Sequence, residues 1–109
     1  MIQADIRIDG NEFSFELQGH AEFNPGNDIV CAGVSAIAYA LLGYLENNQD
    51  RITDFYENDI CSGFICIRLS GADALTPAFE MAAIGIMQIA NQYPENVKAN
   101  FFAGGQHCS

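Results

Sequence analysis

Residues 2–18 read IQADIRIDGNEFSFELQ. Ile2, Ala4, Ile6 and Ile8 alternate with Gln3, Asp5, Arg7 and Asp9, the period of a strand with one buried face. Asp9-Gly10-Asn11 is a hairpin-turn signal. Beyond it Phe13, Phe15 and Leu17 carry the apolar parity, with Ser14, Glu16, Gln18 and His20 on the other. His20 therefore leaves the end of the second strand on its polar side, and by pattern it is not a core histidine.

Working outward, residues 21–27 contain Pro25-Gly26 and read as a loop. Asp28 is a good N-cap for a helix running through Leu45, with Glu46-Asn47-Asn48 ending it. That helix is apolar almost all the way round, so it should be covered on more than one side, in part by a second subunit. Residues 51–57 and 60–69 read as a second hairpin around Asn58-Asp59, and residues 70–73 as a loop. Thr76 is placed to cap a second helix, with Pro77 in its first turn, where a missing N–H costs little. Helical spacing holds from Phe79 through Ala82, Ala83, Ile86 and Ile89 to Tyr93, and Pro94 stops it. Residues 97–102 form a last strand. The expected fold is α/β, a two-layer domain over residues 1–109 in the order ββαββαβ, with two helices packed on one sheet. Hairpin-then-helix recurs in the two halves, but without a convincing sequence repeat.

Half of the residues are apolar and 17% are charged, a globular balance at a length suited to one domain. The formal charge is −10, with four Lys+Arg against fourteen Asp+Glu. Phosphate neutralisation needs clustered cations, so a nucleic-acid partner is excluded, while a basic protein or peptide would be attracted. Residues 29–45 are nearly uncharged, yet short of the roughly 20 residues that a membrane span requires and without flanking Lys or Arg. A buried helix is the expectation, with no membrane partner. Residues 1–5 show no signal-peptide pattern, and the four cysteines, Cys31, Cys61, Cys66 and Cys108, have no CxxC spacing. The expected setting is cytoplasmic, with the cysteines as thiols.

Cys31 lies three residues after Asp28, in the first turn of the helix, where unpaired N–H groups and the dipole favour a thiolate. His20 precedes it by eleven residues, across a loop able to bring imidazole to sulfur. Steps of three and four put Asp28, Cys31 and Ser35 along one helical stripe. Backbone N–H groups around Cys31 could stabilise an oxyanion. Residue types alone leave two readings open. The pair is a nucleophile and its base, or Cys31 is a packing residue and His20 a solvated one.

Gly19-His20-Ala21, followed after a short loop by Asp28-Ile29-Val30-Cys31-Ala32-Gly33-Val34-Ser35-Ala36, resembles the signature of the ribosomal-processing cysteine proteases, the Prp (YsxB-like) family. The likeness extends through most of the chain. It implies an α/β homodimer that removes the N-terminal extension of large-subunit ribosomal protein twenty-seven, a basic ribosomal protein substrate. By position it makes Cys31 the nucleophile and His20 the general base. It gives Gly19 the close turn beside His20 and makes Asp28 and Ser35 supporting residues. It also implies that the loop at 21–27 moves to admit substrate. No metal or organic cofactor is implied. The tail after Phe102 departs from the family pattern. Asn100-Phe101-Phe102-Ala103 resembles the aromatic-aromatic-Ala segment that this family cuts, although Phe101 and Phe102 read more simply as a core-closing strand.

Other groups read as background. His107-Cys108 sits in a terminal tail. Cys61 and Cys66, five apart on what reads as one strand, would face opposite ways, and no spacing favours a zinc site from the histidines with Cys31 and Cys108. Two other functional classes stay in view: a non-catalytic dimeric module that holds a basic protein on its acidic face, and a thiol redox protein using Cys31.

Overall fold

In the computed structural model, which describes residues 1–21, 28–61 and 63–104, the alternation of residues 2–18 becomes a hairpin of β1 (Ile2–Asp9) and β2 (Glu12–Gln18). Asp9 pairs with Glu12 across Gly10-Asn11, and Gly10 takes φ 64°. The chain continues through α1 (Ile29–Glu46), a short 3-10 turn (Gln49–Arg51), β3 (Ile52–Cys61) and β4 (Phe64–Gly71). A second 3-10 turn (Asp73–Leu75), α2 (Thr76–Gln92) and β5 (Val97–Gly104) follow. The five strands lie in the order β3-β4-β2-β1-β5, with β5 parallel to β1 and the other neighbours antiparallel.

The apolar parity faces the helices. Ile6, Ile8, Phe15, Ile67 and Leu69 are fully buried, under α1 through Val30, Val34, Ala38, Leu41 and Leu45 and under α2 through Phe79, Ala82, Ala83 and Ile86. The rings of Phe13 and Phe79 tie sheet to helix at 5.0 Å between centroids. This is the expected α/β two-layer arrangement, order ββαββαβ. Only five residues of α1 are buried, in a single stripe, so its cover is the sheet and α2 on one side. Ile29 and Tyr39 on α1, and Met81, Ile84 and Met87 on α2, stay exposed.

Four local expectations are corrected. Asn58 and Asp59 lie inside β3, paired with Ile67 and Cys66, and the chain reverses beside Gly63. Ser70 and Gly71 belong to β4 rather than to a loop, and Ser70 is buried. Thr76 is the first residue of α2, not its cap; the 3-10 turn delivers the chain into the helix, with Leu75 N–H donating to the Ala72 carbonyl at 3.0 Å. The last strand runs two residues further than expected, so that Gly104 pairs with Asp9. The end of α1 is as read: Asn47 and Asn48 donate side-chain N–H groups to the Gly43 and Tyr44 carbonyls, both at 2.8 Å.

Candidate active site

The site forms at the end of the sheet where β2 finishes and α1 begins. Gly19, directly after β2, takes φ 93°, and a Cβ there would run into the carbonyl oxygen of Met1. No other residue fits both the left-handed backbone and the neighbouring strand. The Gly19 N–H donates to the Gly63 carbonyl at 2.8 Å, fastening the end of β2 to the β3–β4 reversal. On the other side of His20, Ala21 is buried and its carbonyl accepts from the side-chain amide of Asn96 at 2.9 Å. His20, itself exposed, is thus held between two anchored residues.

Cys31 is the third residue of α1 and is half-buried. Asp28 stands in extended conformation at the N-cap (φ −91°, ψ 99°), and its carboxylate accepts from the Cys31 N–H at 2.9 Å. Successive turns of α1 then bring Cys31, Val34, Ser35 and Tyr39 onto one wall of a cavity of about 430 Å³. Gly19 and His20 form a second wall, and Ile60, Cys61, Gly63 and Phe64 a third. The structure therefore gathers Gly19, His20, Cys31 and Ser35 in one cavity, while Asp28 serves from behind as the cap. A thiol, an imidazole and a hydroxyl between apolar walls can perform nucleophilic chemistry on a bound carbonyl, with proton transfer at hand.

The third wall was missed in the sequence. Cys61 and Cys66 stand on different strands, with Cys61 opposite Phe64 and Cys66 opposite Asp59, so the expectation that they share one strand is corrected. Cys61 is exposed in the cavity. Cys66 is buried on the helix-free face, at a larger hollow of about 660 Å³ that contains no histidine. Burial pushes its thiol up to about 11, helped by the charge of Glu57, a hydrogen bond with Glu57 and the charge of Glu16, against the opposing pull of Arg68. A thiol held protonated is a poor nucleophile, and in that hollow Cys66 has no histidine beside it.

The loop at 22–27 and the pair His107-Cys108 lie outside the described residues. The segment resembling a cut site is β5, paired with β1 from Asp5↔Asn100 to Ile8↔Ala103. Arg7 lies over the Phe102 ring, 4.4 Å from its centroid. Gly104 is opposite Asp9, at the far end of the sheet from His20, some seven residues or about 23 Å away along β1. The segment itself lies opposite Asp5 to Ile8, three to six residues or about 10–20 Å along β1 from Ile2, and strand pairing holds it there rather than in the cavity.

The family model described as cysteine protease Prp matches residues 1–98. The ribosomal processing cysteine protease Prp of Mycoplasma genitalium is 29% identical over 96 residues, covering 87% of this chain and 94% of that protein. Its Bacillus subtilis counterpart is 52% identical over a 42-residue stretch, 36% of this chain and 38% of that one. The crystal structure of the ribosomal processing protease Prp from S. aureus, in complex with a covalently linked product peptide, superposes with a TM-score of 0.78 at 25% identity, covering 93% of this chain and 99% of that one. A Streptococcus mutans protein superposes with a TM-score of 0.70 at 29% identity, covering 94% of this chain and 95% of that one. The chain belongs to the cysteine protease Prp family and is a cysteine protease.

Proposed function

We propose that the chain cuts the N-terminal extension from large-subunit ribosomal protein twenty-seven, with Cys31 as nucleophile and His20 as general base. His20 takes the Cys31 thiol proton as sulfur bonds to the scissile carbonyl carbon. It then returns that proton to the leaving amine when the C–N bond breaks, giving a thioester. Water, deprotonated by His20, attacks the thioester, and the C–S bond breaks to release the carboxylate product and restore the thiol. Ser35 supports the site from the next turn of α1, Asp28 by capping the turn that carries Cys31, and Gly19 by the tight turn beside His20.

The observation that carries this reading is the convergence of His20 and Cys31 on one cavity in a chain of this family. The covalently linked product peptide in the S. aureus relative supports a covalent route. A formal charge of −10 suits a basic substrate. We further propose a homodimer acting in the cytoplasm, the exposed Met81, Ile84 and Met87 of α2 and Tyr39 of α1 supplying apolar surface for the second copy. The test is incubation with ribosomal protein twenty-seven carrying its extension, followed by intact-mass measurement. Parent protein should release the extension, and Cys31→Ala and His20→Ala should not. Turnover that persists in Cys31→Ala refutes the mechanism. An intact substrate with every variant, parent included, refutes the choice of substrate.

A further inference from the structure

We propose that Gly63 is a positioning residue for His20, its bare Cα forming the floor on which the imidazole rests. The proposal depends on His20 acting as the base. Gly63 sits at the β3–β4 reversal with φ 77°. A Cβ placed on it would stand 2.8 Å from His20 Nε2, 3.3 Å from Cε1 and 3.5 Å from Cδ2. The ring edge occupies the space that any side chain at 63 would need.

Of the three described glycines with left-handed backbones, each answers a different demand. At Gly10 nothing lies within 4 Å of an added Cβ, and at Gly19 the obstruction is main chain, from Met1. Only at Gly63 is it the proposed base. With a Cβ at 63, one partner must move. The Gly63 main chain is tied to β2 through its carbonyl, which accepts from Gly19 N–H at 2.8 Å, whereas the imidazole is the free end of an exposed side chain. The ring therefore yields. Because it can turn toward solvent, the contact itself costs little stability. The loss falls on alignment with Cys31, where a misplacement of about 1 Å can cost on the order of a hundredfold in rate.

The experiment compares Gly63→Ala, Gly63→Asn and Gly10→Ala with the parent. It reads kcat and KM on a peptide substrate, and the pH dependence of Cys31 alkylation by iodoacetamide. Asn tolerates the left-handed backbone better than Ala while carrying the same Cβ, so a folded variant is available if Gly63→Ala is too strained. Both Gly63 variants should lose about ten- to a hundredfold in kcat with KM changed less than about threefold, and with an altered alkylation profile. Gly10→Ala makes a similar backbone demand without meeting the ring, and should stay within about threefold of the parent. Combined with His20→Ala, Gly63→Asn should add nothing to the effect on Cys31 alkylation. Near-parental kcat in Gly63→Asn overturns the proposal, as does an undiminished further effect in the His20→Ala background. If His20→Ala alone keeps full turnover, the assignment of the base fails and this proposal falls with it. If His20→Ala is inactive while Gly63→Asn is fully active, only the role of Gly63 is refuted.

Discussion

Exchanging Asp28 for Ala and, separately, for Asn separates the hydrogen bond of the α1 cap from its charge. The carboxylate accepts from Cys31 N–H at 2.9 Å, one of the donors left open at the helix start. Losing such a cap costs about 1 kcal/mol, which for a chain near this length lowers Tm by about 4–6 °C. Asn keeps a side-chain oxygen in the same place and ranks with Asp as an N-cap, so Asp28→Asn should fall within about 0.5 kcal/mol of the parent. The first turn that frays in Asp28→Ala is the turn that carries Cys31, so activity should follow stability: reduced several-fold in Asp28→Ala, near parental in Asp28→Asn. Thermal unfolding by circular dichroism, paired with initial rates, reads both. An Asn variant as unstable as the Ala variant would show that charge, not the cap bond, is what Asp28 supplies. An Ala variant with unchanged Tm would refute the argument altogether.

Gly43→Ala should stabilise the protein by about 0.5–1 kcal/mol in denaturant melts, because Gly43 lies within α1 with nothing inside 4 Å of an added Cβ; a loss of stability would show that this face is occupied. Phe13→Ala removes a ring that is 2% exposed and packed on Phe79, and should cost about 3–5 kcal/mol; a cost below about 1 kcal/mol would contradict the packing described. Cys66 supplies a pH test. Its thiol is raised from 9.0 to about 11 in the folded state, so the folded protein holds this proton after the unfolded chain has released it. Its contribution is complete below about pH 9 and is lost as pH rises through about 11, a difference on the order of 2–3 kcal/mol. Urea melts of the parent and Cys66→Ala across that range should converge as pH rises, and parallel curves would refute the assignment.

The parts legible in the sequence are those where burial imposes a period. β1 and β2 have one fully buried face each, so Ile2 through Leu17 announce both strands and their register. Asp28 and the Asn47-Asn48 pair mark α1 because each end has orphan backbone groups that those side chains satisfy. β3 gave no such signal. It is an edge strand without a buried residue and with two register shifts, so Asn58-Asp59 resembled a turn where the strand in fact continues. The third wall of the cavity was hidden for the same reason, since Ile60, Cys61 and Gly63 approach His20 only through the pairing of β4 with β2. The parallel union of β5 with β1 is likewise non-local, and it is what fixes Phe101 and Phe102 in the sheet, opposite Ile6 and Arg7.

The placement of Met1 against Gly19 bears on how the protein should be handled at the bench. Ile2, the next residue, lines the cavity together with Gly19, so a purification tag or reporter fused before Met1 would begin beside it. A label carried at Asn11, in the β1–β2 turn at the far end of the sheet, keeps clear of that cavity. Surface immobilisation through that end would present the cavity outward, the orientation wanted for binding measurements on a sensor chip.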